Sequence, residues 1–156
     1  MSAAVSVALG EDYPEIRESV RRICADFPGA YWRELDRREG YPEEFVRALT
    51  QAGYLAALIP EQYGGAGLPL RAAGVVLEEC HAAGCYAAAA HAQMYTMGSL
   101  LRHGSPQQKA KYLPKIASGE LRLQAFGVTE PTTGTDTTSL KTRAVREGGH
   151  YVISGQ

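Results

Sequence analysis

The chemistry of this chain is most concentrated in residues 126–139, which read Phe-Gly-Val-Thr-Glu-Pro-Thr-Thr-Gly-Thr-Asp-Thr-Thr-Ser. An apolar run stops at an acid and a proline, and a loop made almost wholly of hydroxyls follows. Such a loop offers many small donors and little bulk, which suits cradling a small polar ligand. Of its two carboxylates, Glu130 reads as a loop-structuring group. Asp136 reads as a turn cap in preference to a ligand contact. Thr132 and Thr133 read as loop residues, and Thr137, Thr138 and Ser139 as the lead into a strand.

Other residues with chemical potential are less well arranged. The three cysteines, Cys24, Cys80 and Cys85, form no C-x-x-C pair. All three fall in helix-like stretches, so they read as small core residues in a reducing compartment. His81, His91 and His103 are too scattered for a metal site, and no metal is expected. Residues 58–67, Leu-Ile-Pro-Glu-Gln-Tyr-Gly-Gly-Ala-Gly, are dense in turn formers. Their spacing matches neither a P-loop nor a dinucleotide fingerprint, so a rigid connection between helices is expected instead of a phosphate cradle.

The elements that must position the hydroxyl loop are mostly helical. Asp12, Pro14 and Glu15 read as an N-cap, a first-turn proline and a capping-box acid. Ile16, Val20, Ile23 and Phe27 then recur at helical spacing, with Arg17, Arg21 and Arg22 off that stripe. Pro28-Gly29 reads as the stop. Residues 31–40 read as a charged connector pinned to the core by Trp32 and Leu35. Pro42 opens a second helix with Glu43 and Glu44 in its first turn, and Gly53 ends it. A third helix is expected over residues 70–83, with Ala72, Val76, Cys80 and Ala83 on one side. A fourth, over residues 85–103, is apolar nearly all round and belongs at the centre of a helical cluster. Ser105, Pro106, Gln107 and Gln108 form a capping box with proline at the first helical position. That helix tolerates or kinks at Pro114 and ends near Ser118 and Gly119.

At Leu121 the pattern changes. Residues 123–128 read as a strand, and residues 140–145 and 150–154 as two strands joined across Gly148-Gly149. The fold class is therefore mainly α: an all-α domain over residues 1–121, then the first strands of an antiparallel β domain over residues 122–156. Two or three strands need cover from something else, so the chain reads as part of a longer polypeptide. The chain is 156 residues long, 45% apolar and 21% charged, with a formal charge of −1. That balance leaves no electrostatic footprint for nucleic acid. No basic lead or arginine-rich transit pattern opens the chain, and no stretch is lipophilic enough for a membrane span, so cytoplasm is the expected location.

Three stretches together resemble the acyl-CoA dehydrogenase family. The signature of that family is similar to Gly127-Val128-Thr129-Glu130-Pro131-Thr132-Thr133-Gly134-Thr135-Asp136-Thr137-Thr138-Ser139 at every fixed position except Thr133, where the family prefers Gly, Ala, Ser or Asn. Gly53-Tyr54 with residues 59–67 is the second stretch. The third is residues 103–109 with Tyr112-Leu113-Pro114 and residues 117–120. The resemblance covers nearly the whole chain, in order.

What the resemblance implies is a flavoprotein with an N-terminal helical domain, a middle β-barrel domain and a C-terminal helical bundle, the bundle lying outside this chain. FAD would lie against Phe126, Gly127, Val128, Thr129, Glu130, Pro131, Thr132, Thr133, Gly134 and Thr135. Thr135 would also touch the CoA portion of a thioester substrate. The helix over residues 85–103 would line the acyl tunnel. The family oxidises an acyl-CoA to the trans-2-enoyl thioester. Its catalytic base is a glutamate of the C-terminal bundle, so no catalytic residue is assigned in this chain, which would be inactive alone. Expected partners are the acyl-CoA substrate, an electron-transfer flavoprotein or other acceptor, and further copies of the chain in a dimer or tetramer. A flavin monooxygenase or nitroalkane-oxidising relative, or a non-catalytic helical partner subunit, are the alternative functions.

Overall fold

The computed structural model describes residues 12–156. The N-terminal stretch on which the targeting expectation rests lies outside the described residues. The chain divides into two compact units, Met1–Ala125 and Phe126–Gln156.

The first unit is helical: α1 Pro14–Ala25, α2 Gly29–Arg37, α3 Glu43–Gln51, α4 Leu70–Ala82, α5 Ala88–His103 and α6 Pro106–Ser118. α1 starts at Pro14, but Asp12 is not its cap. Tyr13 occupies that position in a left-handed conformation with φ 49°, and no side chain caps the turn. Asp12 instead accepts, through both its carbonyl and its carboxylate, from Arg17 Nε at 2.9 Å.

Residues 31–40 are not a connector. They fall largely within α2, which begins almost as soon as α1 ends. Its polar face hid it in the sequence, because only a few aromatic and aliphatic positions mark its inner side. Leu35 is buried, Trp32 Nε1 donates to the Phe27 carbonyl at 2.9 Å, and the indole meets Phe45 edge-on at 5.0 Å. Phe45 also packs edge-on against Phe27 at 5.2 Å, so three aromatic rings dock α2 onto α1 and α3.

Two apolar clusters fill this unit. The larger gathers Val20, Phe45, Leu49, Leu55, Val76 and Met94 with all three cysteines. The smaller joins Ile59, Met97, Leu113 and Ile116. Ala83 lies exposed beyond the end of α4, so the inner face of that helix stops at Cys80. An ion cluster clamps α4 to α1. Glu79, only 5% exposed, accepts from Arg17 Nη1 at 2.7 Å and from Arg21 Nε at 2.6 Å. These two guanidiniums, Arg21's first, hold the Glu79 carboxyl below its usual range. α5 starts three residues later than expected and is not buried all round, since His91, Tyr95, Ser99 and Arg102 form an exposed face.

The connection from Ile59 to Leu68 is held from inside. The amides of Gly64, Gly65, Ala66, Gly67 and Leu68 donate to the carbonyls of Glu61, Pro60, Ala56, Ile59 and Ala57. With its donors turned inward, the loop is a rigid link and not an anion cradle. The capping box at α6 is complete: Ser105 Oγ accepts from Gln108 N at 3.2 Å, and Gln108 Oε1 accepts from Ser105 N at 2.8 Å. Pro114 sits within the helix, and Gly119 closes it in the left-handed conformation with φ 81°. No described helix is long and apolar enough to cross a membrane.

The second unit is a hairpin preceded by the hydroxyl loop. β1 Arg143–Glu147 pairs antiparallel with β2 His150–Ser154, in a register from Arg143↔Ser154 to Glu147↔His150. Gly148, at φ 60°, and Gly149 make the two-residue turn, as such tight connections require. The first strand starts three residues later than the sequence pattern suggested. The strand expected at residues 123–128 does not form: no ladder partner is present among the described residues, and the one bridge nearby is Glu130↔Thr133. Every residue of both strands is exposed.

Candidate functional site

The hydroxyl loop is built from two internal locks and an outward-facing remainder. The first lock is a tight turn in which Glu130 and Thr133 exchange backbone hydrogen bonds, each at 3.0 Å. Glu130, 9% exposed, then turns its carboxylate onto the start of the hairpin, where Oε2 accepts from Lys141 N and Oε1 from Thr142 N, both at 2.8 Å. Hydrogen bonds from the Thr142 side chain and from the Lys141 and Thr142 amides stabilise the charged form and lower the Glu130 pKa. Thr133, the departure from the family pattern, is 6% exposed and donates from Oγ1 to the Ser139 carbonyl at 3.2 Å. Its hydroxyl therefore pins the far end of the loop.

The second lock is Asp136. Its Oδ1 accepts from Thr138 N at 3.2 Å and from Thr138 Oγ1 at 2.5 Å, and its Oδ2 accepts from Ser139 Oγ at 2.5 Å. This is the side-chain turn cap that the sequence suggested, and it organises the short turn Thr137–Ser139. The Ser139 and Thr138 donors hold the Asp136 carboxyl below its usual value. Both acids, with Thr133, Thr138 and Ser139, are thus engaged within the loop.

What remains faces outward. Phe126, Gly127, Thr129, Pro131, Thr132, Gly134 and Thr135 are exposed, and Val128 is half-buried. A Cβ built at Gly127 or Gly134 would meet no atom within 4 Å, so both glycines border open space. A concavity of about 560 Å³ runs along residues 127–130, facing Leu140, Thr142 and Ile153 of the same unit. Of the ten residues singled out in the sequence, Glu130 and Thr133 turn inward as scaffold and the others form the outer surface. The arrangement presents backbone amides and carbonyls, three exposed threonines and, apart from Phe126, little bulk at the surface. No described cluster of three or more His, Cys, Asp or Glu side chains is placed to hold a metal.

The family description "Acyl-CoA dehydrogenase, N-terminal domain" matches residues 10–120, well over half of the chain. The chain belongs to the acyl-CoA dehydrogenase family. It is 35% identical over 150 residues to cyclohex-1-ene-1-carbonyl-CoA dehydrogenase of Syntrophus aciditrophicus, covering 95% of this chain and 36% of that protein. It is 34% identical over 152 residues to mitochondrial isovaleryl-CoA dehydrogenase of Pongo abelii, covering 94% of this chain and 36% of that one. A solved acyl-CoA dehydrogenase from Geobacillus kaustophilus superposes with a TM-score of 0.79 at 25% identity, covering 97% of this chain and 40% of that chain. The chain thus spans a little over a third of the length of the curated relatives it matches.

The helical unit also holds a polar relay that the sequence reading missed. Tyr41 Oη donates to Gln124 Oε1, Gln124 Nε2 donates to Gln93 Oε1 at 3.3 Å, and Gln93 Nε2 donates to the Leu55 carbonyl at 3.4 Å. Gln93 is 1% exposed. A glutamine in the middle of an alanine- and methionine-rich helix was the available signal, because a buried amide demands partners.

Proposed function

We propose that this chain is the N-terminal part of an FAD-dependent acyl-CoA dehydrogenase, which oxidises an acyl-CoA thioester to the trans-2-enoyl thioester. One observation carries this reading. The outward surface of Gly127, Val128, Thr129, Pro131, Thr132, Gly134 and Thr135, flanked by the Phe126 ring, is made of small residues and polar backbone, in a loop held by Glu130, Thr133 and Asp136. Such a surface fits the flavin ring system, whose polar rim needs donors and acceptors at close range and whose faces tolerate little bulk. The amides of Gly127, Val128 and Thr129 and the hydroxyls of Thr129 and Thr135 are the groups assigned to FAD, and Thr135 is further assigned to the CoA portion of the substrate. When bound, FAD supplies the hydride acceptor for the β-carbon.

This chain's own residues bind and orient. Donors fixed before the reaction stabilise developing charge without having to reorganise, and the two carboxylate locks provide that fixity. Glu130 itself is a poor base: both its oxygens accept amide hydrogens, and its lowered pKa makes it a weak proton acceptor. We assign the proton abstraction at the α-carbon to a glutamate outside these residues. Electron transfer to a flavoprotein acceptor, and assembly into dimers or tetramers, belong to the same proposal.

Flavin absorbance of the protein purified in full, followed by anaerobic addition of acyl-CoA thioesters, tests the reading. Bound flavin bleached by a thioester is expected. A protein that carries no flavin and takes none up would overturn it.

A further inference from the structure

The hydroxyl loop has one soft point and one closure. Gly134 has no side chain, and a Cβ built there would meet nothing within 4 Å, so the backbone can swing at that residue. Beyond it, Asp136 gathers Thr138 and Ser139 into a small rigid turn. Its carboxylate accepts from both hydroxyls, and its carbonyl accepts from Ser139 N at 3.1 Å. These bonds do not tie the turn to the residues before Gly134. Glu130 does not tie it either, because its carboxylate holds Lys141 and Thr142, which lie beyond the turn.

Thr133 makes the tie. Its backbone is fixed on one side by the paired bonds with Glu130, across a turn whose Pro131 presets the chain direction. Its side chain reaches to the other side, where Oγ1 donates to the Ser139 carbonyl at 3.2 Å and closes the neck of residues 134–138. Thr133 is only 6% exposed, so water competes poorly for this bond. Branching at Cβ restricts χ1 and holds the hydroxyl on its acceptor more narrowly than serine would. Alanine or glycine at this position would leave the neck open. Within the closed neck, the Gly134 and Thr135 amides donate to no backbone carbonyl among the described residues and stay available to a ligand.

We propose that Thr133 is a positioning residue for the cofactor: its hydroxyl closes the loop of residues 134–138 before FAD arrives, so that binding does not have to order it. That FAD is the ligand rests on the function proposed above. Thr133 is itself turned away from the outer surface, so its effect falls on affinity through the loop and not on contact with the ligand. Where only the closed loop binds, the apparent dissociation constant rises as the closed fraction falls.

Thr133→Val and Thr133→Ser test this in the protein purified in full. Valine keeps the volume and the branching but loses the hydroxyl, whereas serine keeps the hydroxyl. In the flavin-free protein the reporter is the Thr137 amide, which donates to the Thr135 carbonyl at 3.1 Å across the soft stretch. Its hydrogen exchange should be faster in Thr133→Val than in the parent and close to the parent in Thr133→Ser. The Lys141 and Thr142 amides, held by Glu130, should stay protected in all three and so report an intact hairpin start. FAD should bind Thr133→Val about fivefold more weakly than the parent, the equivalent of one ordinary hydrogen bond, and Thr133→Ser should restore the affinity. Equal FAD affinity in Thr133→Val and the parent, or a loss that Thr133→Ser does not restore, would overturn the proposal. If Thr133→Val does not fold, Thr133→Ala removes the hydroxyl without setting a methyl against the Ser139 carbonyl, and the same outcomes decide. If the parent takes up no FAD, the function proposed above fails. Thr137 exchange then decides the closure alone, with faster exchange in the hydroxyl-free variant supporting it and an unchanged rate refuting it.

Discussion

Replacing Gly65 with alanine is the sharpest structural perturbation available in the helical unit. The added Cβ would lie 2.1 Å from the Ile59 carbonyl oxygen and 2.4 Å from Ile59 Cβ. Ordinary carbon–oxygen contacts begin at about 3.3 Å, so one backbone must retreat by about an ångström. Neither is free to do so. Ile59 is fully buried, its carbonyl accepts from Gly67 N at 2.8 Å, and Gly65 N is itself bonded to Pro60. Overpacking of this kind costs about 3 kcal/mol or somewhat more. For a chain of this size that corresponds to a fall in Tm of roughly 6–12 °C. Gly74→Ala is the matched control: the position lies inside α4, and a Cβ there meets nothing within 4 Å. Helix propensity alone should then raise stability by about 0.5–1 kcal/mol. Thermal melting by far-ultraviolet circular dichroism separates the two. A Gly65→Ala protein melting within a degree or two of the parent would refute the reasoning that this loop is a rigid, internally bonded link.

Three further outcomes follow from the geometry. Ser105→Ala removes one half of the capping box of α6 and should cost about 1 kcal/mol, seen as a Tm lower by roughly 2–4 °C; an unchanged melt would contradict the cap. Glu130 has a folded pKa below its ordinary value of 4.5, so its support of the hairpin is fully present above that value and is lost as pH falls through the lower, folded pKa. The protection factors of the Lys141 and Thr142 amides, that is, their exchange rates relative to the unprotected rate at each pH, should fall with acidification in the parent protein. Glu130→Gln should show fast exchange already at neutral pH, and identical profiles for the two would sink the idea. Burial pushes the Cys80 thiol up to about 11 and raises the Cys24 thiol as well, while Cys85 is only 2% exposed. A thiol reagent at neutral pH should therefore label the native protein slowly and all three cysteines on denaturation, and rapid native labelling of any one would contradict the packing.

Most features set by near neighbours in the chain were legible in the sequence, the expected Asp12 cap of α1 being an exception. The Ser105–Gln108 cap, the Gly148-Gly149 hairpin turn and the Asp136 turn cap each depend on groups within a few residues, and each is present. Features set by distant partners were not. Arg17 and Arg21 fell outside the apolar stripe of α1, and nothing local indicated that Glu79 would collect both. α2 was read as a connector because its burial depends on Phe27 and Phe45 from other helices, not on its own apolar content. The strand expected at residues 123–128 had suitable side chains but no neighbour to pair with among the described residues. At the candidate site, the residue types of the hydroxyl loop and the structural roles of Glu130 and Asp136 were evident, but the rest of the division into scaffold and surface, Thr133 above all, was not. That division depends on Lys141, Thr142 and Ser139 coming back to Glu130 and Thr133.

Hydrogen–deuterium exchange of the complete protein with and without FAD tests the central claim most directly. The amides of Gly127, Val128 and Thr129 lie in a segment without a ladder partner among the described residues, so they should exchange quickly in the flavin-free protein. Binding of FAD should slow them markedly, while the amides of Lys141 and Thr142, already held by Glu130, change little. Flavin bound tightly with residues 127–129 still exchanging at the flavin-free rate would contradict the assignment of this surface as the wall of the flavin site.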